Sequence, residues 1–352
     1  MTKNLLLSST ALVSAIAMAT PALADIEVTL SGQVEVGSIF EDTDASTNQT
    51  NGDSDRGYYF FLDTETRIQA QGAADNGINY SGKVEIDTDG NNNGGGSIDV
   101  QTDEAVLAFW GGFGRIELGR DDGAEDVMYV GGENFQAGTG GIDGDTTNLS
   151  GFANINDSGD AAKITYFTPR VGGFQLGASF TPDEDDDETG TDNDAGEENS
   201  IGVGANFVTS TGGADITISG VAIFADAEGN AEAGAAGDDK KDYAVGVGLE
   251  FAGLGIGAGY IIRDDADEAE GFNLGISYGF GPLNVRAGYS YEDDDDVGGG
   301  EDRDGHLIVG SADYGVFPGV TLKGDVSHNT DDRDTADQDD TTAAVVTVQL
   351  DY

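Results

Sequence analysis

The most informative segment of the chain is residues 271–296, GFNLGISYGFGPLNVRAGYSYEDDDD. Its first half places a large apolar residue at every second position, its second half does the same after Gly281 and Pro282, and four aspartates end it. A period of two is typical of β-strands, because successive side chains point to opposite faces of a sheet. The segment therefore predicts two antiparallel strands joined by a short turn, each with one apolar and one polar face.

The same alternation recurs along the chain and predicts 16 strands. Short connections such as 73–77 and 281–282 alternate with long acidic ones such as 182–199 and 292–305. A soluble sandwich would pack its apolar face against a second sheet, with shorter strands and mixed connections. Strands of roughly 9 to 11 residues, apolar outward and polar inward, describe a transmembrane barrel. The predicted fold is all-β, a 16-stranded antiparallel transmembrane barrel, wide enough for a water-filled lumen.

Composition restricts the possible partners and the compartment. The chain has 67 acidic and 15 basic residues, so it lacks a basic face for nucleic acid. It has no cysteine and therefore no disulfides. Residues 1–24 read as a cleaved signal peptide, with a basic start, an apolar centre and an A-x-A end. The barrel domain is then expected over residues 25–352.

Four segments resemble the general bacterial porins of the Gram-negative outer membrane. They are TRIQAQG (66–72), AVLAFWGGFGRIELGRDDGAEDVMY (105–129), KITYFTPRVGGFQLGASF (163–180) and VTVQLDY (346–352). The resemblance implies a homotrimer in the outer membrane, in contact with lipid and lipopolysaccharide. It also implies that the outer-membrane insertion machinery reads the last strand, which ends in the aromatic Tyr352 as an assembly signal.

The longest connection, residues 121–160, is the candidate constriction loop, because long connections are often functional. The resemblance implies that this third loop folds into the pore of each barrel and opposes its acids to basic residues of the wall. The basic candidates are Arg67, Arg120 and Lys163. The acidic candidates are Glu133, Asp143 and Asp145.

The orientation of Arg120 has two readings. Ile116 and Leu118 belong to the outward row, so strict alternation turns Arg120 outward as well. A bulge at Gly119 would instead turn it into the lumen, since glycine within a strand often marks a bulge. In the other reading Arg120 lies at the aqueous end of the strand.

Catalytic and cofactor signals are weak. His306 and His328 have no metal-ligand spacing, and GLGIGAG (253–259) lies in an alternating strand with no helix after it, unlike a nucleotide-binding turn. No enzyme activity and no cofactor are predicted. Calcium or magnesium at the acidic loops is an alternative to a solvated, charged rim.

The predicted function is a passive diffusion channel for ions and small hydrophilic solutes. Rings of carboxylates favour cations, so a cation preference is expected. A non-conducting structural or adhesive outer-membrane barrel and a soluble acidic β-protein are the alternatives. The first would give no steady conductance, and the second would separate from membranes.

Overall fold

A computed structural model describes residues 26–44, 57–87, 101–135, 153–184, 197–227, 239–264, 268–295, 303–333 and 339–352. Within these ranges the chain forms sixteen strands, one short helix and one 3-10 turn. The strands are β1 (Glu27–Asp44), β2 (Tyr58–Ala73), β3 (Asn79–Asp87), β4 (Gln101–Gly111), β5 (Gly114–Arg120), β6 (Ala162–Phe167), β7 (Phe174–Asp183), β8 (Glu197–Thr211), β9 (Ala214–Ala227), β10 (Lys240–Phe251), β11 (Leu254–Arg263), β12 (Glu268–Phe280), β13 (Leu283–Asp295), β14 (Arg303–Phe317), β15 (Val320–Arg333) and β16 (Asp339–Asp351). The helix α1 is Ala124–Met128 and the 3-10 turn is Glu133–Phe135, both between β5 and β6.

The sheet closes on itself. Every strand pairs antiparallel with its neighbours in sequence, and β1 pairs with β16, with Gln33 opposite Asp351. Sixteen strands spaced about 4.8 Å apart and tilted by about 40° give a backbone cylinder roughly 30 Å across. Closure leaves no strand edge unpaired, which a sheet surrounded by hydrocarbon requires. The predicted fold class is confirmed.

The hairpin of β12 and β13 matches the predicted pair of strands. Phe280 lies opposite Leu283, and Gly281 turns the chain at a φ of +67°, which glycine adopts at little cost. One detail differs, because β13 continues to Asp295 instead of stopping before the aspartates. Pairing with β12 satisfies the backbone there, and the inward carboxylates of Glu292 and Asp294 are buried beside Arg263 and Arg303.

Inward and outward rows differ as the alternation predicts. In β12, Leu274 and Ile276 point outward and are each 46% exposed, whereas Asn273 points inward and is buried. The same outward row of exposed apolar side chains continues around the barrel. An apolar surface of this extent is the surface of a protein embedded in lipid.

The two ends of the barrel differ in the length of their connections. All connections of seven or more residues follow odd-numbered strands, although those after β11 and β15 have only four and five residues, and those that follow even-numbered strands have two to six. The wall is lowest at β5 and β6, with 7 and 6 residues, whereas β1 has 18.

No helix among the described residues has the length and apolar character needed to cross a membrane. The expected signal peptide, residues 1–24, lies outside the described residues.

Candidate functional site

The described parts of the third connection lie against the inner wall. Helix α1 contacts β6 to β9, and the 3-10 turn contacts β11 to β13. Backbone N–H groups of the connection donate to polar side chains of the inward rows. The pairs are Ala124 N to Ser179 Oγ at 3.2 Å, Val130 N to Ser219 Oγ at 2.9 Å, Gly132 N to Asn273 Oδ1 at 2.6 Å and Ala153 N to Ser290 Oγ at 2.9 Å. Inward serines and asparagines therefore hold this segment to one side of the lumen.

Inward glycines form the surface on which the connection rests. A Cβ at Gly204 would lie 2.8 Å from the carbonyl oxygen of Ala124 and 2.8 Å from the Cβ of Met128. A Cβ at Gly248 would lie 3.1 Å from the ring of Phe135, and Gly257 also lies directly beneath that ring. Gly255 and Gly257, in the middle of the segment 253–259 that resembles a nucleotide-binding motif, thus make room for the ring of Phe135.

Glu125 joins the two ends of the connection to the wall. Its side chain is fully buried, and Oε2 accepts from Ser179 Oγ on β7 at 2.7 Å. Oε1 accepts from Ser158 Oγ at 2.8 Å, beyond the central part of the connection. Sequence reasoning did not single out Glu125, although its position two residues after a Gly at the start of a helix could have suggested an anchoring role.

The three basic candidates occupy different environments. Arg67 lies in the inward row of β2, where Nε donates to Glu85 at 2.5 Å and Nη2 pairs with Glu65 at 3.4 Å. Lys163 is 5% exposed and donates to the carbonyl oxygens of Asp121, at 2.6 Å, and Gly159. It therefore holds together the two ends of the connection, while Arg67 is 40% exposed to the lumen.

The strand pairing keeps Arg120 in the outward register of β5. The β4–β5 and β5–β6 registers continue without a shift and place Arg120 opposite Ala105 and Ala162, both in outward rows. Gly119 has a φ of +137°, but the pairing shows no inserted residue there. The bulge reading is thus not supported, and Arg120 ends β5.

Glu133 begins the 3-10 turn, across the barrel from Arg67. Strands β12 and β2 are six positions apart in the ring of sixteen. Burial raises the pKa of Glu133 to about 7, with smaller opposing contributions from backbone N–H groups and Asn273. Burial also raises the pKa of Asp126 to about 7 and of Asp122 to about 6, aided by neighbouring carboxylates. Asp143 and Asp145 lie outside the described residues.

Ion pairs, including those of Arg67, line the inner wall. Eight inward cations of the described strands pair with carboxylates, and four of them contact two carboxylates each. Those four are Arg67, Lys83, Lys240 and Arg303. Strand alternation places Lys83 in the lumen, although the four segments that resemble the porins do not include it. Among the described residues, the carboxylates of Glu104, Asp121 and Asp122 approach one another within 4.8 Å and could hold a metal ion.

Tyr352 completes the seam between the first and last strands. Its backbone exchanges hydrogen bonds with Gly32, both at 3.0 Å, and its hydroxyl lies 2.8 Å from Thr66 Oγ1. The ring covers Gly32, where a Cβ would lie 2.8 Å from the phenol oxygen. The last side chain thus packs across β1 and β2.

The fold is shared with solved outer-membrane proteins. An anion-selective porin from Comamonas acidovorans superposes with a TM-score of 0.63, at 17% identity over 93% of this chain and all of that one. OmpT, an outer membrane protein of Vibrio cholerae, gives 0.64 at 13% identity over 96% of this chain and all of its own. A mutant Rh. blastica porin gives 0.58 at 19% identity, over 93% and 100% of the two chains.

Sequence comparison identifies the family. A stretch of 97 residues is 31% identical to the uncharacterized protein RC0098 of Rickettsia conorii, covering 20% of this chain and 22% of that protein. The family model of the Gram-negative porins matches residues 8–335, nearly the whole length. Together with a closed barrel of sixteen strands, that match makes the chain a member of the Gram-negative porin family, the outer-membrane channels.

Proposed function

We propose that the protein is a passive, cation-preferring diffusion channel for ions and small hydrophilic solutes, narrowed by the third connection. The observation that carries the cation preference is the pairing of inner-wall cations. Arg67, Lys83, Lys240 and Arg303 each contact two carboxylates, so each such group has a formal charge of −1. A negative lumen attracts cations and repels anions.

Charge, more than fold, sets the sign of selectivity in this proposal. The Comamonas protein of similar fold is anion-selective. In the present chain, acids outnumber basic residues by 67 to 15. That excess extends to the long connections at one end of the barrel, where it would concentrate cations at the mouth.

The constriction is proposed to lie between the connection and the wall of β1 to β5. Glu133 and Asp126 belong to the connection, and Arg67 and Lys83 belong to that wall. Asp143 and Asp145 are proposed as further acids of the same loop. The channel needs neither a chemical step nor a cofactor.

Assembly is proposed to follow the family. Strands β5 and β6 rise only about 15 to 18 Å across the membrane, given ~3.3 Å per residue and a tilt of about 40°. An apolar band of ~25 Å is not spanned at that height, so another copy would cover the low wall. One OmpT structure of similar fold is a trimer form, and we propose a homotrimer here. Residues 1–24 would direct export, Tyr352 would mark the chain for the insertion machinery, and the outer rim would contact lipopolysaccharide.

A planar-bilayer recording tests the function. Purified, unheated protein should give ohmic current steps, and a potassium chloride gradient should give a reversal potential of the sign set by cation flow. An anion-favouring reversal potential would exclude the cation preference. Insertion without conductance would favour the non-conducting structural or adhesive barrel.

A further inference from the structure

Three carboxylates meet where the third connection leaves the wall. Glu104 lies in the inward row of β4, and Asp121 and Asp122 directly follow β5. One oxygen of each lies within 4.8 Å of the others. Carboxylate oxygens so grouped suit hard divalent cations such as calcium and magnesium. If such a group bound a divalent cation tightly in a channel, the ion would leave slowly and would block the current.

The ammonium of a lysine on the neighbouring strand lies among these carboxylates. The ammonium of Lys83, on β3, pairs with Glu104 Oε2 and lies 3.3 Å from Asp121 Oδ1. Its side chain is 18% exposed, so the lysine is largely enclosed by its partners. Because Lys83 is tethered to the wall, its charge cannot leave with the current.

Two other basic residues near the group have partners of their own, because Lys163 donates to the carbonyl oxygens of Asp121 and Gly159 and Arg67 is paired on β2. Arg67 pairs with Glu85 and Glu65 at 2.5 Å and 3.4 Å. Glu85 stands two positions from Lys83 in the same inward row, so it adds negative charge beside the carboxylate group. Loss of Lys83 would leave Glu104 and Asp121 without the ammonium that contacts them, with Asp122 beside them.

We propose that Lys83 is a specificity-determining residue that keeps divalent cations moving through the pore. Its ammonium takes the place that a permeating calcium or magnesium ion would otherwise take, so divalent ions pass without blocking. Conduction requires each site to bind weakly enough for release, and the lysine provides that weakness. This inference rests on the proposed channel function.

The test compares Lys83→Gln with Lys323→Gln. Lys323 is an equivalent wall lysine, 21% exposed, whose ammonium pairs with Glu35 at 2.7 Å. Both substitutions remove one positive charge, but only the first removes an ammonium from a group of three carboxylates. Single-channel current in potassium chloride is recorded before and after adding about 5 mM calcium or magnesium chloride, well above the ~1 mM dissociation constant of a weak site.

Lys83→Gln should lose at least half of its current in calcium, whereas the wild type, Lys323→Gln and Lys83→Arg should lose little. Equal responses of Lys83→Gln and Lys323→Gln would overturn the inference. Calorimetry of the folded, detergent-solubilised variants gives a second readout. Lys83→Gln should bind one more calcium ion than Lys323→Gln, which has the same net charge.

The two proposals fail in different ways. A protein that never conducts would refute the channel and with it the permeation role of Lys83, whereas a calcium site gained in Lys83→Gln would still show that the lysine keeps divalent ions off these carboxylates. A conducting wild type without block or extra binding in the variant would refute only the lysine proposal. If Lys83→Gln does not fold in chelator, calcium should restore its refolding while potassium chloride of equal ionic strength does not, and the absence of such rescue would overturn the inference.

Discussion

Replacing Gly204 by alanine should release the third connection from the inner wall. The new Cβ would lie 2.8 Å from both the Ala124 carbonyl oxygen and the Met128 Cβ, so α1 must retreat by about 0.6 Å to regain an ordinary contact of 3.4 Å. That retreat stretches the 3.2 Å bond from Ala124 N to Ser179 Oγ beyond hydrogen-bonding distance. Overpacking costs about 1 to 3 kcal/mol and the lost bond about 0.5 to 1.5 kcal/mol.

A total cost of about 1.5 to 4.5 kcal/mol lowers the ratio of attached to released connection by a factor of roughly 10 to 1,600, at 1.4 kcal/mol per tenfold. Planar-bilayer recordings of Gly204→Ala should show larger open-channel noise and altered conductance. The hydrogen bonds between strands are unchanged, so the barrel should stay folded. Its unheated form should still migrate differently from the boiled, unfolded form in gel electrophoresis, which is heat-modifiable mobility. Gly82→Ala is the matched control, because nothing lies within 4 Å of its added Cβ. Identical conductance and noise in the two variants would refute the packing argument.

Three further outcomes follow from charges and contacts. Burial raises the pKa of Glu133 from its ordinary 4.5 to about 7, so its protonated form is favoured in the folded connection. The protonated side chain stabilises the attached connection, and this stabilisation is fully present below about pH 4.5 and is lost as pH rises through 7. Open-channel noise should therefore grow from pH 5 to about pH 8.5, and it should grow less steeply in Glu133→Gln. The same pH profile in Glu133→Gln and in the wild type would contradict the assignment. Arg67→Ala leaves Glu65 and Glu85 without the guanidinium, so the reversal potential should move toward greater cation preference while the barrel still folds, and a move toward anions would contradict the charge argument. Tyr352→Ala should reduce the fraction of heat-modifiable protein in outer membranes by severalfold while Tyr352→Phe keeps most of it, and equal yields would argue against an aromatic requirement.

The strands could be predicted because their constraint is local. Each has lipid on one side and water or polar groups on the other, so a period of two is present in the residues themselves. Strand ends were less predictable. Pairing of β12 with β13 extends the ladder past Tyr291 to Asp295, which side-chain polarity alone does not reveal.

The third connection packs against the wall at glycines, which have no side chain to fill the space. Sequence alternation identifies Gly204 and Gly257 as inward residues, but only the fold shows that α1 and Phe135 fill the space above them. The same limit applied to Lys163, whose match to a wall position gave no sign that it joins Asp121 to Gly159. Hydrogen bonds between distant segments leave no periodic trace in a sequence.

The pairing of β1 with β16 makes the chain a cycle that has been opened at one point. Each strand lies beside its neighbours in sequence, so the seam at Gly32 and Tyr352 differs from the other junctions at that end mainly in lacking a connecting peptide. A circular permutant that joins Tyr352 to Glu27 by a short linker and opens between Gly281 and Pro282 should therefore enclose the same lumen when refolded in detergent. Such a chain would no longer end in Tyr352, and it would separate the information that shapes the pore from the information that delivers it to the membrane.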